Sequence, residues 1–356
     1  DNFVYLATNN GIFYSKFSTN ANAFNFIKIE GLQGQSWSIQ NIENDILICH
    51  DTGIYKLSDG TFEKIDTQAG FWKITAINDK PGFYLASNYV GLYLITKEEG
   101  HWKIVNKIKG FDESSRDILA DTEPNTYWVC HGYKGVYKLH FNSDYSRVDA
   151  VDHFTDKNGF KSPYNINVFN WKGKIIFTTN TGIYDYNNHN SRFELYEPLN
   201  KLFDPTKNTR KILVANNKTW FIQDDEAGYF DSNSENPKLN KDLFLNLKGS
   251  FNRGMESIYP LSNGKVFFGT NSGLYLYTIL DNKVTGKYPT IISKINYFHN
   301  QKMELIEIDS DKNSISLPNQ TDILRFEFSS PKMISSTEIN YSYKLENVDE
   351  NWSPWQ

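Results

Sequence analysis

The sequence predicts an all-β chain, a seven-bladed β-propeller followed by a partial immunoglobulin-like β-sandwich. Three observations lead there. A unit of apolar strand, polar turn, glycine and apolar-aromatic strand recurs seven times, with glycines at 11, 53, 91, 135, 182, 228 and 273. Aromatic residues make up 15% of the 356 residues, and flat side chains pack well on a pleated surface. Long helical periodicity is missing throughout, although Asp242–Leu247 has room for one helical turn. A repeat of roughly 40–45 residues holding four short strands is the signature of propeller blades.

The seven copies run Val4–Phe13, Ile46–Tyr55, Phe83–Tyr93, Tyr127–Tyr137, Ile175–Tyr184, Trp220–Phe230 and Val266–Tyr275. Each reads as a tight hairpin, whose turn calls for positive φ and hence glycine. A further apolar strand precedes the hairpin, as in Trp37–Ile42, Trp72–Ile77, Arg210–Val214 and Glu256–Tyr259. An outer strand follows it, as in Thr61–Ile65 and His101–Val105. The chain opens on the second strand of its first repeat. The innermost strand of that blade is therefore expected upstream of Asp1 or from elsewhere, and the chain reads as a segment of something larger.

Residues 1–288 form the predicted propeller and 289–356 the start of a second domain. In that second part Pro289–Tyr297, Thr321–Phe328 and Glu338–Leu345 alternate apolar and polar residues as half-buried strands do. These last 68 or so residues fall short of the roughly 100 of a full sandwich.

Charge narrows the function classes. The formal net charge is −5 and the lysines are scattered, whereas a nucleic-acid binder shows a basic stripe. No apolar run approaches the roughly 20 residues that span a bilayer, and no signal peptide is visible. The two cysteines, Cys49 and Cys130, occupy equivalent places in different repeats. That separation argues against a mutual disulfide and for two small buried apolar side chains.

The repeats resemble the two-component-regulator propeller repeats of Bacteroidetes sensors: a strand ending in Thr, a short turn, Gly, then Leu or Ile and Tyr. Thr8, Thr179 and Thr270 match that Thr, while His50, Ser87, His131 and Gln223 depart from it. The tail resembles the triple-tyrosine domain that follows such propellers, through Tyr341, Tyr343, Leu345 and Trp352. Asn347 stands where that family often has Gly. The resemblance implies the periplasmic sensor region of a hybrid two-component system or a related transcriptional regulator. It further implies carbohydrate fragments as ligands, an upstream propeller in the same chain, a second protomer in a homodimer, and a downstream membrane helix leading to a kinase or helix-turn-helix output.

The hairpin tips and the starts of the inner strands should gather on one propeller face. Candidate ligand-binding residues there are Trp37, His50, Asp51, Trp72, Tyr89, Arg116, His131, Tyr133, Lys134, Arg210, Asp224 and Asp225. Aromatic platforms beside carboxylate and guanidinium groups suit a sugar, which stacks by its flat face and is fixed through its hydroxyls. Each tip also has a plain structural reading, since Asn and Asp are good turn formers. The His50 and His131 pair lacks the short spacing of zinc sites, so no metal is expected. No cofactor motif is present. The run Asp224-Asp225-Glu226 is the one acidic cluster on this face and motivates the alternative of a polysaccharide-acting enzyme, since paired carboxylates hydrolyse glycosides. A non-catalytic scaffold or adhesion propeller is the third reading. The expected class is a sensor segment that is not itself an enzyme.

Overall fold

A computed structural model describes residues 3–17, 24–58, 61–278, 290–306, 316–319, 321, 323–330 and 341–355. The chain divides into two compact units, Asp1–Leu276 and Tyr277–Gln356.

The first unit is a β-propeller of seven antiparallel sheets, each a meander in chain order. Blade one contains Phe3–Thr8, Gly11–Lys16 and Ile27–Lys28. Blade two has four strands, Ser36–Ile42, Asp45–His50, Gly53–Ser58 and Thr61–Asp66. Blade three follows with Phe71–Ala76, Phe83–Asn88, Gly91–Glu98 and His101–Lys107. Blades four and five repeat the plan, their inner hairpins being Thr126–His131 with Gly135–Phe141 and Lys174–Thr179 with Gly182–Asn187. In blade six Thr209–Ala215 pairs with Lys218–Gln223, which pairs with Glu226–Asp231. Blade seven contains Ser257–Pro260, Val266–Thr270 and Gly273–Tyr277.

Apolar residues between blades hold the ring. Leu47, Ile54 and Phe71 pack with Ile74, Tyr93 and Trp102 between blades two and three. Similar clusters lie at the successive junctions, for example Val136, Phe154, Val168 and Phe177 between blades four and five. Ring closure is by aromatic contact: Phe267 of blade seven meets Phe17 and Phe24 of blade one at centroid distances of 6.3 and 5.8 Å. Beside blade six, Asp242–Leu247 forms the expected short helical turn, of 3-10 type. Its buried Phe244 packs 5.3 Å from Phe268 of blade seven.

The hairpin register explains the repeat. In blades one to five, the last residue of the second strand pairs with the glycine that opens the third, as in Thr8 with Gly11 and His50 with Gly53. A Cβ on Gly11, at φ +112, would lie 2.2 Å from the carbonyl oxygen of Leu32, so both torsion and space demand glycine. Two positions differ from the sequence expectation. In blade three the residue paired with Gly91 is Asn88, not Ser87, because the turn is the two-residue Tyr89-Val90. In blade six that glycine place is taken by Glu226, paired with Gln223, and Gly228 lies two residues into the strand. The local sequence misleads there because an ordinary strand glycine sits close to where the turn glycine was sought.

In the second unit, Ile291–His299 is the central strand, flanked by Lys302–Ile306 and Ile323–Ser329. These three strands are the sheet seen among the described residues. Of the expected strand Glu338–Leu345, residues 338–340 lie outside the described residues. Residues 341–345 carry no sheet ladder. They are held instead by the Ser353 N–H donating to the Tyr343 carbonyl at 2.9 Å and by the Leu345 N–H donating to Asp349 at 2.8 Å. Tyr341 stacks edge-on against Phe328 and accepts the N–H of Ser330 at 3.0 Å. Asn347 sits at φ +65, the left-handed region where glycine is favoured and Asn tolerated.

Candidate functional site

A recurring bulge shapes the hairpin-tip face. The inner strands of blades two, three and six slip register between Ser36 and Ser38, Phe71 and Lys73, and Thr209 and Lys211. The extra residues are Trp37, Trp72 and Arg210. A bulge re-aims the inserted side chain, here toward the face. Arg116, Ile166 and Glu256 stand at the same place in blades four, five and seven, one residue before Asp117, Asn167 and Ser257. Ile166 is buried in the apolar cluster between blades four and five, and the other five form an upper ring. The register places Ser38, Lys73, Asp117, Asn167, Lys211 and Ser257 one layer below, on the strands nearest the axis.

One side of the face is aromatic. Trp37 and Trp72 lie 4.1 Å apart by centroid, and Tyr89 lies 4.9 Å from Trp72. The Trp37 indole N–H donates to Asp51 at 3.0 Å and to the Tyr89 hydroxyl at 2.8 Å, and that hydroxyl donates to Asp51 at 2.6 Å. Burial first, and the Asp51 carboxylate second, push the Tyr89 hydroxyl well above its ordinary range, so it stays a donor. The Trp72 indole N–H is buried with no hydrogen-bond partner among the described residues. Of the twelve sequence candidates, Trp37, Asp51, Trp72 and Tyr89 lie together.

The other side is polar. Arg116 donates to Asn167 at 2.9 Å and lies 3.4 Å from Asp117. Its other terminal nitrogen reaches the loop ahead of blade seven, 3.3 Å from where a Cβ on Gly254 would sit. Arg210 pairs with Asp224 at 3.0 Å and approaches Glu256 at 3.8 Å. Asn208 joins the side chains of Asn180 and Asn167 at 3.0 and 3.3 Å. Asn167, Asn208 and Glu256 were not foreseen. Their signal is positional, lying directly beside Arg116 and Arg210 in the blade register, and only the bulges reveal that register.

Two carboxylates of the acidic run are held in ion pairs. Asp224 is engaged by Arg210, and Glu226 by Lys207, Lys241 and Lys248 at 3.0 to 3.1 Å. Burial raises the Glu226 pKa, but the hydrogen bonds from the three lysines outweigh it and hold the carboxyl down at about 2. Such a group stays ionised and cannot serve as a general acid near neutral pH. Asp225 is half-buried, and its carbonyl accepts the N–H of Gly249.

The histidines cap turns. The Nδ1 atoms of His50 and His131 accept the N–H two residues on, at 3.0 and 3.1 Å. Thr8, Thr179 and Thr270 do the same through hydroxyls, and Asn88 through its amide oxygen. The position therefore selects a side-chain acceptor, and Thr is one solution among several. Only Gln223 breaks the rule, turning its amide to the carbonyl of Asp204 instead. His50 is buried and does not reach the surface, a correction to its place among the ligand candidates. Burial lowers the pKa of both histidines, which keeps the imidazoles neutral and able to accept. Tyr133 is 75% exposed at the blade-four tip, and Lys134 beside it pairs with Glu113 at 2.7 Å.

Among the described residues no cluster of three metal-ligating side chains occurs, and no helix is long and apolar enough to cross a membrane.

Fold and face together define a seven-bladed propeller carrying an aromatic-and-guanidinium surface around its axis. Comparison with solved structures extends this. The chain is similar to the extracellular domain of a B. thetaiotaomicron protein described as the hybrid two component system BT4673, at TM-score 0.55 and 16% identity over 100% of this chain and 49% of that one. It is similar to the corresponding domain of BT3049 from B. thetaiotaomicron, at TM-score 0.58 and 15% identity over 97% of this chain and 54% of that one. The chain thus spans about half the length of these domains. YCF48 bound to D1 peptide matches 80% of this chain and 91% of its own, at TM-score 0.55 and 15% identity. At such identities the likeness is one of fold. No family model and no curated protein matches the chain.

Proposed function

We propose that this chain is the ligand-sensing segment of an extracytoplasmic signal-transduction protein, and that it recognises an oligosaccharide on the hairpin-tip face. The observation that carries the reading is the group Trp37, Trp72 and Tyr89 beside Asp51: flat apolar faces next to fixed polar groups. Sugar recognition needs that combination. The fold shared with two extracellular domains of hybrid two-component systems supports the sensor setting and a periplasmic location. Binding biases the second unit through a difference in affinity between two conformations. In this reading the signal passes on to an output domain beyond the chain, and an upstream propeller and a second protomer complete the assembly.

An enzymatic reading finds little support, because Asp224 and Glu226 are engaged by cations. Calorimetric titration of a panel of oligosaccharides, with chromatography of the mixtures, tests the proposal. At least one saccharide should bind without turnover, and Trp72→Ala should weaken it by about tenfold or more. Absence of binding across the panel, or release of shorter products, would overturn the reading.

A further inference from the structure

We propose that the axial channel beneath this face is an anion seat: Lys73 and Lys211, with Arg116 above them, receive a carboxylate or sulfate substituent of the bound saccharide. The inference rests on the saccharide reading and narrows its ligand class.

Lys73 and Lys211 hold the same register position on the inner strands of blades three and six, opposite Ser87 and Ile222. Strands nearest the axis face one another across the ring. The electrostatic surroundings of Lys211 agree: beyond burial, Asp117 of blade four and Glu256 of blade seven favour its ammonium, while Lys73 of blade three and Arg116 oppose it. Both lysines are half-buried. Neither ammonium makes an ion pair or a hydrogen bond among the described residues.

The anions nearby are committed elsewhere. Asp117 lies against Arg116, Asp224 against Arg210, and Glu256 accepts the N–H of Gly254 and approaches Arg210. Four cations, Lys73, Arg116, Arg210 and Lys211, thus share the mouth with three carboxylates. Withdrawing an ammonium from water without a partner is costly, and cations so placed are eased by an anion. Burial lowers the pKa of Lys211 and outweighs the support it draws from the Asp117 and Glu256 carboxylates.

Arg116 adds geometry to charge. It spans from blade four to Asn167 of blade five and to the loop at Gly254. The register sets this guanidinium one step above the layer of the two lysines, and charge-assisted bonds from such cations to an oxyanion are the strong ones. The aromatic group at Trp72 is the bulge residue directly before Lys73. A sugar ring stacked there would carry a substituent toward the axis.

The test compares trigalacturonate, a sulfated chondroitin disaccharide and neutral cellotriose on the wild type, Lys73→Gln, Lys211→Gln and the double variant by calorimetry. The result expected is that one anionic saccharide binds about tenfold or more tighter than cellotriose, weakens as salt rises, and loses about tenfold in either single variant. Which anion wins separates carboxylate from sulfate. Equal binding of cellotriose, or unchanged binding in Lys211→Gln, overturns the anion seat and leaves the saccharide reading standing. A saccharide-free arm covers the converse. Sulfate raises the Tm of many proteins by exclusion, so the readout is the difference between wild type and double variant. A sulfate-dependent rise larger in the wild type supports the seat even where no saccharide binds; equal rises overturn it. Lys211→Gln should unfold at or above the wild-type temperature, which separates lost binding from lost folding.

Discussion

The indole N–H of Trp37, from the inner strand of blade two, donates to the hydroxyl of Tyr89, at the hairpin tip of blade three, at 2.8 Å. That bond ties two blades at the face and, through Asp51, fixes the plane of the aromatic group. Tyr89→Phe removes the hydroxyl and keeps the ring. The expected cost is about 1 kcal/mol of stability, the net value of an ordinary hydrogen bond, together with weaker saccharide binding. Urea denaturation and calorimetry measure the two effects separately. A variant with unchanged affinity would show that the hydroxyl does not organise the platform.

Gly53 and Gly100 both have positive φ, +146 and +84, but differ in surroundings. A Cβ on Gly53 would lie 2.1 Å from the backbone oxygen of Asp66, whereas nothing lies within 4 Å of one on Gly100. Gly53→Ala should therefore cost more than about 3 kcal/mol, through clash added to torsional strain, and Gly100→Ala about 1 kcal/mol. Equal midpoints in guanidinium would contradict this account of the repeat glycine.

The Glu226 carboxyl, held at about 2 against an ordinary 4.5, contributes stability that is present above pH 4.5 and lost as pH falls toward 2. Glu226→Gln should cost about 2–3 kcal/mol at neutral pH, and the gap from wild type should close between those two pH values. The lysines around it would then repel one another unrelieved, so the loss should deepen at low ionic strength. Denaturation curves at several pH values check both points.

Cys49 and Cys130 are free and fully buried. Burial drives the Cys49 thiol up to about 12 and raises Cys130 well above its ordinary value. Neither should react with a thiol reagent at pH 8 in the native protein, and both should react at once in denaturant. Rapid native labelling would place one of them at a mobile edge.

Much of the blade plan is legible in the sequence because a tight turn leaves a chemical mark. Gly11 and Gly182 announce a positive φ, and the Thr before each turn announces an acceptor for the turn N–H. The same logic misled at Gly228, an ordinary strand glycine, and at His50, where imidazole replaces hydroxyl as the acceptor and looks like a ligand. The aromatic group was legible because Trp37 and Trp72 open their strands at matching places. The axial layer was not. Lys73 and Lys211 read as scattered surface charges until the bulges fix the register, since one inserted residue moves every side chain after it to the opposite face. In the tail, Tyr341–Leu345 alternates like a strand, yet local bonds to Ser353 and Asp349 hold it instead.

The inserted residues at Trp37, Trp72 and Arg210 have a wider consequence. A side chain lifted out of the regular ladder meets its neighbours at the rim, in the contacts already described, and none of the three belongs to the apolar clusters between blades. Exchange at those places alters what the rim greets while Ile39, Ile74 and Ile212 go on filling the same gaps beneath. A scaffold with that separation can be retargeted one residue at a time, each trial costing the rim contacts of that residue and sparing the packing between blades.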